Sequence, residues 1–257
     1  IWGSPSIRSH PDNYFLTQWE KHFKNIKDFI PTARNFGYKG MVITSWSTSG
    51  LYSPVFETTR DIVDLYAIRR VYPITGFNIL IDAYFEALKT KEPLNTVQFV
   101  KNYTLKNYGF NEAQSKTFWK ALTTAPYEVT QGVVSNKNVS INQLLDSAKL
   151  AAKQFEQLKP LKNQEEFEHY HLMADIRVQY LTYMALEIEV NSVDFKESRI
   201  PEIIKQLKQI DTAKLDKKFI ALNKNTLYEA EIEQENQLRN AKIKLLIQRL
   251  SRSKTND

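Results

Sequence analysis

The segment richest in usable chemistry runs from Gly40 to Pro54, GMVITSW followed by STSGLYSP. Gly40–Trp46 is a short apolar run bounded by glycine and a Ser/Thr/Gly cluster, a pattern that predicts a buried β-strand with an indole at its last position. In a (β/α)8 barrel the carboxyl ends of the strands build the ligand pocket, so Trp46 would stand where a pocket wall is needed. Its flat face suits the C–H groups of a sugar ring, and its N–H can donate to a hydroxyl. The competing reading has Trp46 plugging the barrel mouth. Trp2, Arg8, His10 and Asp12 are expected just after an earlier strand that ends near Ile1 to Ser4. On a loop facing the same mouth they could contact sugar hydroxyls. Against this, Asp12 is also placed to cap the following helix, and Arg8 and His10 could be solvated or bonded within the loop.

A second spacing of interest is Glu168-x-x-His171, which can ligate a metal when a second helix repeats it. No second copy exists, and His169 and His171, two positions apart, belong on different faces of a helix, so a surface or packing role is expected. The basic stretch Arg239, Lys242, Lys244, Arg249, Arg252 and Lys254 could attract anionic partners, yet it interleaves with Leu245, Leu246 and Leu250 as a packed amphipathic helix would. Cysteine is absent, which excludes disulfides, thiolate metal sites and a cysteine nucleophile. There is no phosphate-cradling glycine loop and no Gly-x-Ser-x-Gly elbow. The formal charge of +6 is spread along the whole length, which argues against a nucleic-acid partner. No cofactor is implied.

Positioning these residues requires two regimes of structure. Five of seven glycines and six of nine prolines lie within the first 93 residues, and the remainder is rich in Lys, Glu, Gln, Leu and Ala. In the first regime, Asp12 or Asn13 can cap a helix carrying Phe15, Trp19, Phe23, Ile26 and Ile30, with Pro31 interrupting or kinking it and Gly37 as its stop. The strand at Gly40 follows, then a helix over Thr75–Lys89. Helix, strand, helix is the rhythm of a parallel α/β unit. A parallel strand needs neighbours on both sides, so further strands are expected upstream of Ile1, and the opening Ile1-Trp2-Gly3 without a Met suggests a processed or truncated product.

From about Glu92 the periodicity predicts helices over Thr96–Tyr108, Asn111–Thr124, Ser140–Leu158, Gln164–Val190 and Ile200–Ile210, then one long helical segment over Leu215–Arg252. Within the last, Glu229–Asn240 is almost wholly polar and is expected along solvent, with Ala241, Leu245 and Leu246 returning to a core. The fold class is therefore mainly α: residues 1–92 as the C-terminal remnant of a (β/α)8 barrel, and residues 93–257 as an α-helical bundle domain. No run is long and apolar enough to span a membrane.

Taken in order, Ser4-Pro5-Ser6-Ile7-Arg8-Ser9-His10-Pro11-Asp12-Asn13-Tyr14, Trp19-Glu20-Lys21-His22, the strand GMVITSWSTSG, Asp64-Leu65-Tyr66-Ala67-Ile68-Arg69 and Val71-Tyr72-Pro73 resemble the end of the catalytic barrel in bacterial glycoside hydrolase family 20 β-N-acetylhexosaminidases. The resemblance is to the subgroup with a C-terminal helical domain, and it covers residues 1–90, with the helical remainder similar only in general character. It implies retaining hydrolysis with substrate assistance. In that family the sugar's own acetamido oxygen attacks the anomeric carbon, an Asp orients the acetamido group, and the adjacent Glu protonates the leaving oxygen. That Glu needs a raised pKa to hold its proton near neutral pH. The Asp-Glu pair belongs to the fourth strand, upstream of Ile1, and no adjacent Asp-Glu occurs in this sequence, so these residues alone are expected to be inactive. Trp46 resembles the family's last-strand tryptophan, which walls the pocket. Many members carry a Glu two positions beyond it; here Thr48 stands there, and a hydroxyl cannot supply the same charge-assisted hydrogen bond.

The resemblance thus implies an exo-acting enzyme on glycans ending in β-linked N-acetylhexosamine, in a periplasmic or secreted setting. The helical part would brace the eighth barrel helix or mediate a homodimer. The alternatives are a non-catalytic helical interaction or carbohydrate-binding module, and a barrel whose active site has decayed, consistent with Thr48.

Overall fold

The computed structural model describes residues 1–8, 19–45, 78–124, 129–130, 133–134 and 138–253. Helix dominates these residues, and the chain is mainly α. At the amino end, β1 (Trp2–Gly3) and β2 (Ser6–Arg8) run parallel to β3 (Gly40–Met41) and β4 (Thr44–Ser45). The N–H groups of Lys39, Val42 and Thr44 donate to the carbonyls of Ile1, Gly3 and Pro5 at 2.9, 2.9 and 3.0 Å, so the short pairs form one ladder. Pro5 has no N–H to give, which separates β1 from β2 while its carbonyl still accepts. Two expectations are corrected here: the first strand runs on to Arg8 rather than ending near Ser4, and the strand expected over Gly40–Trp46 forms as two short stretches.

The crossover between the paired strands contains α1 (Trp19–Asn35), as parallel pairing requires. Its apolar spacing buries Trp19, Phe23, Ile26, Ile30 and Ala33. Pro31 lies within the helix and does not end it. Gly37 does: at φ 68° it takes the left-handed conformation open to glycine, and the Tyr38 and Gly37 N–H groups return to the carbonyls of Ala33 and Arg34.

Six of the following helices match the spacing closely: α2 (Asn78–Lys89), α3 (Thr96–Tyr108), α4 (Glu112–Thr123), α5 (Ile141–Gln157), α6 (Gln164–Val190) and α7 (Ile200–Gln209). They are followed by α8 (Thr212–Asn223) and α9 (Glu229–Ser253). Asn111 and Ser140 form capping boxes with Gln114 and Gln143, which sets the starts of α4 and α5. An antiparallel pair, β5 (Val129–Thr130) with β6 (Val133–Val134), was not anticipated.

The expected single helix over Leu215–Arg252 is two. It breaks between Asn223 and Glu229, where the Thr226 and Leu227 N–H groups both turn back to the Asn223 carbonyl at 2.9 Å. Asn223 is itself buried, its side-chain amide donating to the Phe219 carbonyl at 2.8 Å, so the turn is anchored from inside. The polar stretch Glu229–Asn240 is also corrected. It does not lie along solvent: Ile232, Glu235, Asn236, Leu238 and Asn240 are all buried.

The apolar interior forms two clusters. The first joins α1, α2, α3, α4, the end of α5, the first half of α6, α8 and the start of α9, and the second joins the start of α5, the second half of α6, α7 and the end of α9. The first cluster crosses residue 92, with Trp19 against Tyr170 at 5.6 Å and Phe23 against Trp119 at 5.3 Å between ring centroids.

Candidate functional site

The carboxyl ends of the parallel strands are the place to look first, because there the ladder stops and side chains converge. Arg8, the last residue of β2, pairs with Ser45, the last residue of β4. Between Ser6 and Arg8 the register shifts by one residue, a bulge that gives β2 an extra position, and the extra residue, Ile7, is buried. Bulges of this kind re-aim the residues that follow.

Beneath the bulge, α1 holds the backbone in place. The ring of His22 reaches the Ser6 carbonyl at 3.3 Å through Nδ1, and the Asn25 amide donates to the same oxygen at 3.0 Å. His22 is buried. On the neighbouring strand, Thr44 accepts a hydrogen bond from the Ser4 hydroxyl at 3.2 Å. Sequence reasoning passed over His22 and Asn25. Their signal was available: two polar residues three apart on the same helix face as Trp19, Phe23 and Ile26.

The structure places the sequence-derived candidates unequally. Arg8 stands at the strand end beside Ser45, within a strand rather than on a loop beyond it. Trp46 follows Ser45 directly in sequence and lies outside the described residues, as do His10 and Asp12. Trp2 is not brought to them. It sits in β1 opposite Gly40, six residues ahead of Arg8, a span of roughly 20 Å along an extended strand. Its indole is largely exposed and lies against Gly40, where a Cβ would come within 2.8 Å of the ring, so Gly40 is what lets the indole lie flat.

Comparison of the chain with protein-family models, with curated proteins and with solved structures found no match.

Two other polar constellations can be assigned from geometry. Glu168 and His171 contact each other at 3.4 Å, and Lys218 of α8 places its ammonium 3.0 Å from Glu168 and 3.4 Å from Asp175. The His171 bond, and after it Lys218, hold the Glu168 carboxyl down at about 2 against the resistance of partial burial. This position is already filled by a cation of the chain, and it ties α6 to α8. His169 points the other way, into the interior, where burial lowers its pKa to about 4. Among the described residues no group of three His, Asp or Glu side chains could hold a metal ion.

The second constellation centres on Glu166, one of whose oxygens accepts from the phenols of Tyr103 and Tyr108 at 2.5 Å each, while Asn78 donates to the other at 3.2 Å. Burial, and then the Glu166 carboxylate, push the Tyr103 phenol above the ordinary tyrosine range. The arrangement fastens α2 and α3 to α6.

Proposed function

We propose that this chain is the C-terminal part of an exo-acting β-N-acetylhexosaminidase, supplying one wall of the sugar pocket and a helical appendage. The observation that carries this reading is the parallel strand, helix, strand unit whose carboxyl ends set Arg8 beside Ser45, immediately ahead of Trp46. A strand end followed at once by an indole suits an apolar sugar face, and an arginine at the neighbouring strand end has a guanidinium able to donate to hydroxyls. His10 and Asp12, which follow Arg8 in sequence, complete the proposed polar rim. Trp2 drops out of the pocket on this reading, because it belongs to the other end of the ladder.

The chemistry proposed is retaining hydrolysis assisted by the substrate's acetamido group, with the Asp-Glu pair supplied by residues outside this sequence. Thr48, in place of a charged acceptor, would bond a sugar hydroxyl more weakly. The interlocked first core speaks against the alternative of a separable helical module, since residues 93–257 alone would expose the ring faces that now meet Trp19 and Phe23.

Full-length protein from the parent gene is the material for the test. Chromogenic β-N-acetylglucosaminide and β-N-acetylgalactosaminide should be hydrolysed, with Trp46→Ala lowering kcat/KM by about a hundredfold, roughly 2.7 kcal/mol of transition-state stabilisation. A parent protein that carries no Asp-Glu at a strand end, or that leaves both substrates intact, would remove the reading.

A further inference from the structure

Near the amino-terminal end of the ladder, a cleft of about 610 Å³ opens between α2 and the start of α3. Its location follows from the backbone. Arg34, near the end of α1, donates to the carbonyls of Ala87, Leu88 and Thr90. Tyr84 donates to the Met41 carbonyl in β3 at 2.9 Å. Both contacts tie the cleft's α2 wall to the amino-terminal side of the ladder, opposite the strand ends that carry Arg8 and Ser45.

The lining has a distinct chemistry. Asp82 and Phe85 project from one turn of α2, and Gln98 and Asn102 from one face of α3; all four are exposed. Between them Phe99 and Tyr103 form an aromatic floor, their ring centroids 5.9 Å apart. The floor cannot shift easily, because Tyr103 is fixed to Glu166 from below and Phe99 packs on Phe23 at 6.0 Å. Phe85 is 53% exposed, an unusual setting for a ring that has no polar atom of its own. Gln98 donates to Asn102 at 2.8 Å, which aligns two planar amides along one wall. The acidic residues of the lining, Asp82, Glu86 and Glu92, face the basic Lys89 and Lys106, and Lys89 is paired with Glu86 at 3.1 Å. No large field of one sign remains to select a strongly charged ligand.

An exposed ring, an immobile aromatic floor, aligned amides and a carboxylate, in a cleft close to charge balance, form the set that recognises a pyranose. The ring covers the C–H face, and the amides and carboxylate pair with neighbouring hydroxyls. We infer that this cleft is a second carbohydrate site, binding a neutral oligosaccharide through Phe85, Asp82, Gln98 and Asn102. It stands independently of the pocket proposed at the strand ends, and it would hold a glycan chain against the protein without any part in bond cleavage.

Saturation-transfer difference NMR on the 257-residue chain tests it, with chitotriose, cellotriose and mannotriose as neutral probes and a sulfated trisaccharide as the charged control. At least one neutral trisaccharide should bind saturably, and Phe85→Ala should weaken that binding at least tenfold while Leu245→Gln, at an exposed position on α9, leaves it unchanged. Gln98→Ala with Asn102→Ala, two exposed positions whose replacement leaves the core intact, should weaken it as well and carries the test should Phe85→Ala not fold. Binding abolished by Trp46→Ala but indifferent to Phe85→Ala and to the amide variants would place the ligand at the strand ends and overturn the inference. Absence of neutral-sugar binding, or binding of the sulfated probe alone, would overturn it equally, and neither result would bear on hydrolysis by the parent protein.

Discussion

Around Phe118 the first core is built of rings. Tyr108, Phe110, Phe155, Phe167 and Tyr170 all lie within 6.3 Å of it, centroid to centroid, Phe155 and Tyr170 edge to face. Around Leu181 the second core is mostly aliphatic, with Leu144, Met184, Ile203, Leu207, Ile243 and Leu246 buried together. Ring packing is directional, and a phenol brings a polar atom that must be satisfied, so the first core carries an acceptor, Glu166, that orders its tyrosines. Aliphatic packing tolerates more ways of filling the same volume. The first core therefore behaves as a jig that locates the strand unit and the α2–α3 cleft against α6, and the second, in which the Tyr183 phenol donates to Glu187 one turn on in the same helix, as a brace.

The largest expected effect tests that contrast directly. Phe118→Ala should cost about 3–5 kcal/mol, and Ile203→Val in the second core about 0.5–1.5 kcal/mol, both read as shifts in the urea midpoint. Each residue is fully buried, at 0% exposure, but the two substitutions remove different amounts of side chain, so a truncation of comparable size in the second core is needed. The informative control is Leu181→Ala, at about 2–5 kcal/mol, because it too leaves a large cavity. Should Leu181→Ala match Phe118→Ala and also loosen the Tyr103 and Tyr108 hydroxyl protons in NMR, the two cores would be one cooperative body and the contrast would dissolve.

A polar layer lies between α6, α8 and α9. Asp216 takes Arg239 at 2.6 Å and the Asn240 amide at 2.9 and 3.1 Å, and Gln179 of α6 donates to Asn240 at 2.9 Å. Arg239 lies over the Phe219 ring, its side chain 9% exposed. Asp216→Ala would leave that guanidinium buried beside a hole and should cost about 3 kcal/mol, the low end for breaking a buried pair because Asp216 is itself partly exposed. Calorimetric unfolding of Asp216→Ala beside Asp216→Ala/Arg239→Met separates the cost of stranding the charge from the worth of the pair, and recovery in the double variant is expected.

How far these features were legible in the sequence follows from the range of the interactions. Helix α6 was read from its long helix-forming run although no side chain caps its start. Helix α3 was read to its ends because its signals are local, with Asn95 capping the start and Gly109 closing the end. The strand unit was legible in outline for the same reason, although Pro5 and the bulge at Ile7 displaced its boundaries. The polar layer was not: Glu235, Asn236 and Asn240 look solvent-bound until Asp216 and Gln179, distant in sequence, arrive to satisfy them. The placement of Trp2 was missed because nothing local tells the beginning of a parallel strand from the loop beyond one. Glu168-x-x-His171 shows the converse, a ligand-like spacing whose counter-charge is Lys218, fifty residues on.

The next effect in size is one of pH. His169 is neutral in the folded chain, its pKa lowered to about 4 by burial, whereas an unfolded histidine titrates near ~6.5. A depressed histidine pKa means that the unfolded state takes up protons first as pH falls. Its contribution is fully present above about 6.5, is lost at up to about 1.4 kcal/mol per pH unit below it, and levels off once the folded form protonates too. Unfolding measured from pH 7 to pH 4 should show this slope, and His169→Leu should flatten it. A slope unchanged by the substitution would assign the acid sensitivity to other groups.

The smallest effect expected is the most telling about α9. The sequence pattern grouped Leu245 with Leu246 as returning to a core, yet Leu246 is 4% exposed and Leu245 is 56% exposed. Ile243, Leu246 and Leu250, at spacings of three and four, form the buried face, and Leu245 sits off it. Leu246→Ala should cost about 2–5 kcal/mol in a chemical unfolding series. Leu245→Gln should stay within about 0.5 kcal/mol, as for surface substitutions away from special features. A large loss at Leu245 in dilute solution would mean that the residue is covered there, and the same variant run across protein concentration would tell a second copy of the chain from an internal contact, since only the former makes the loss depend on concentration.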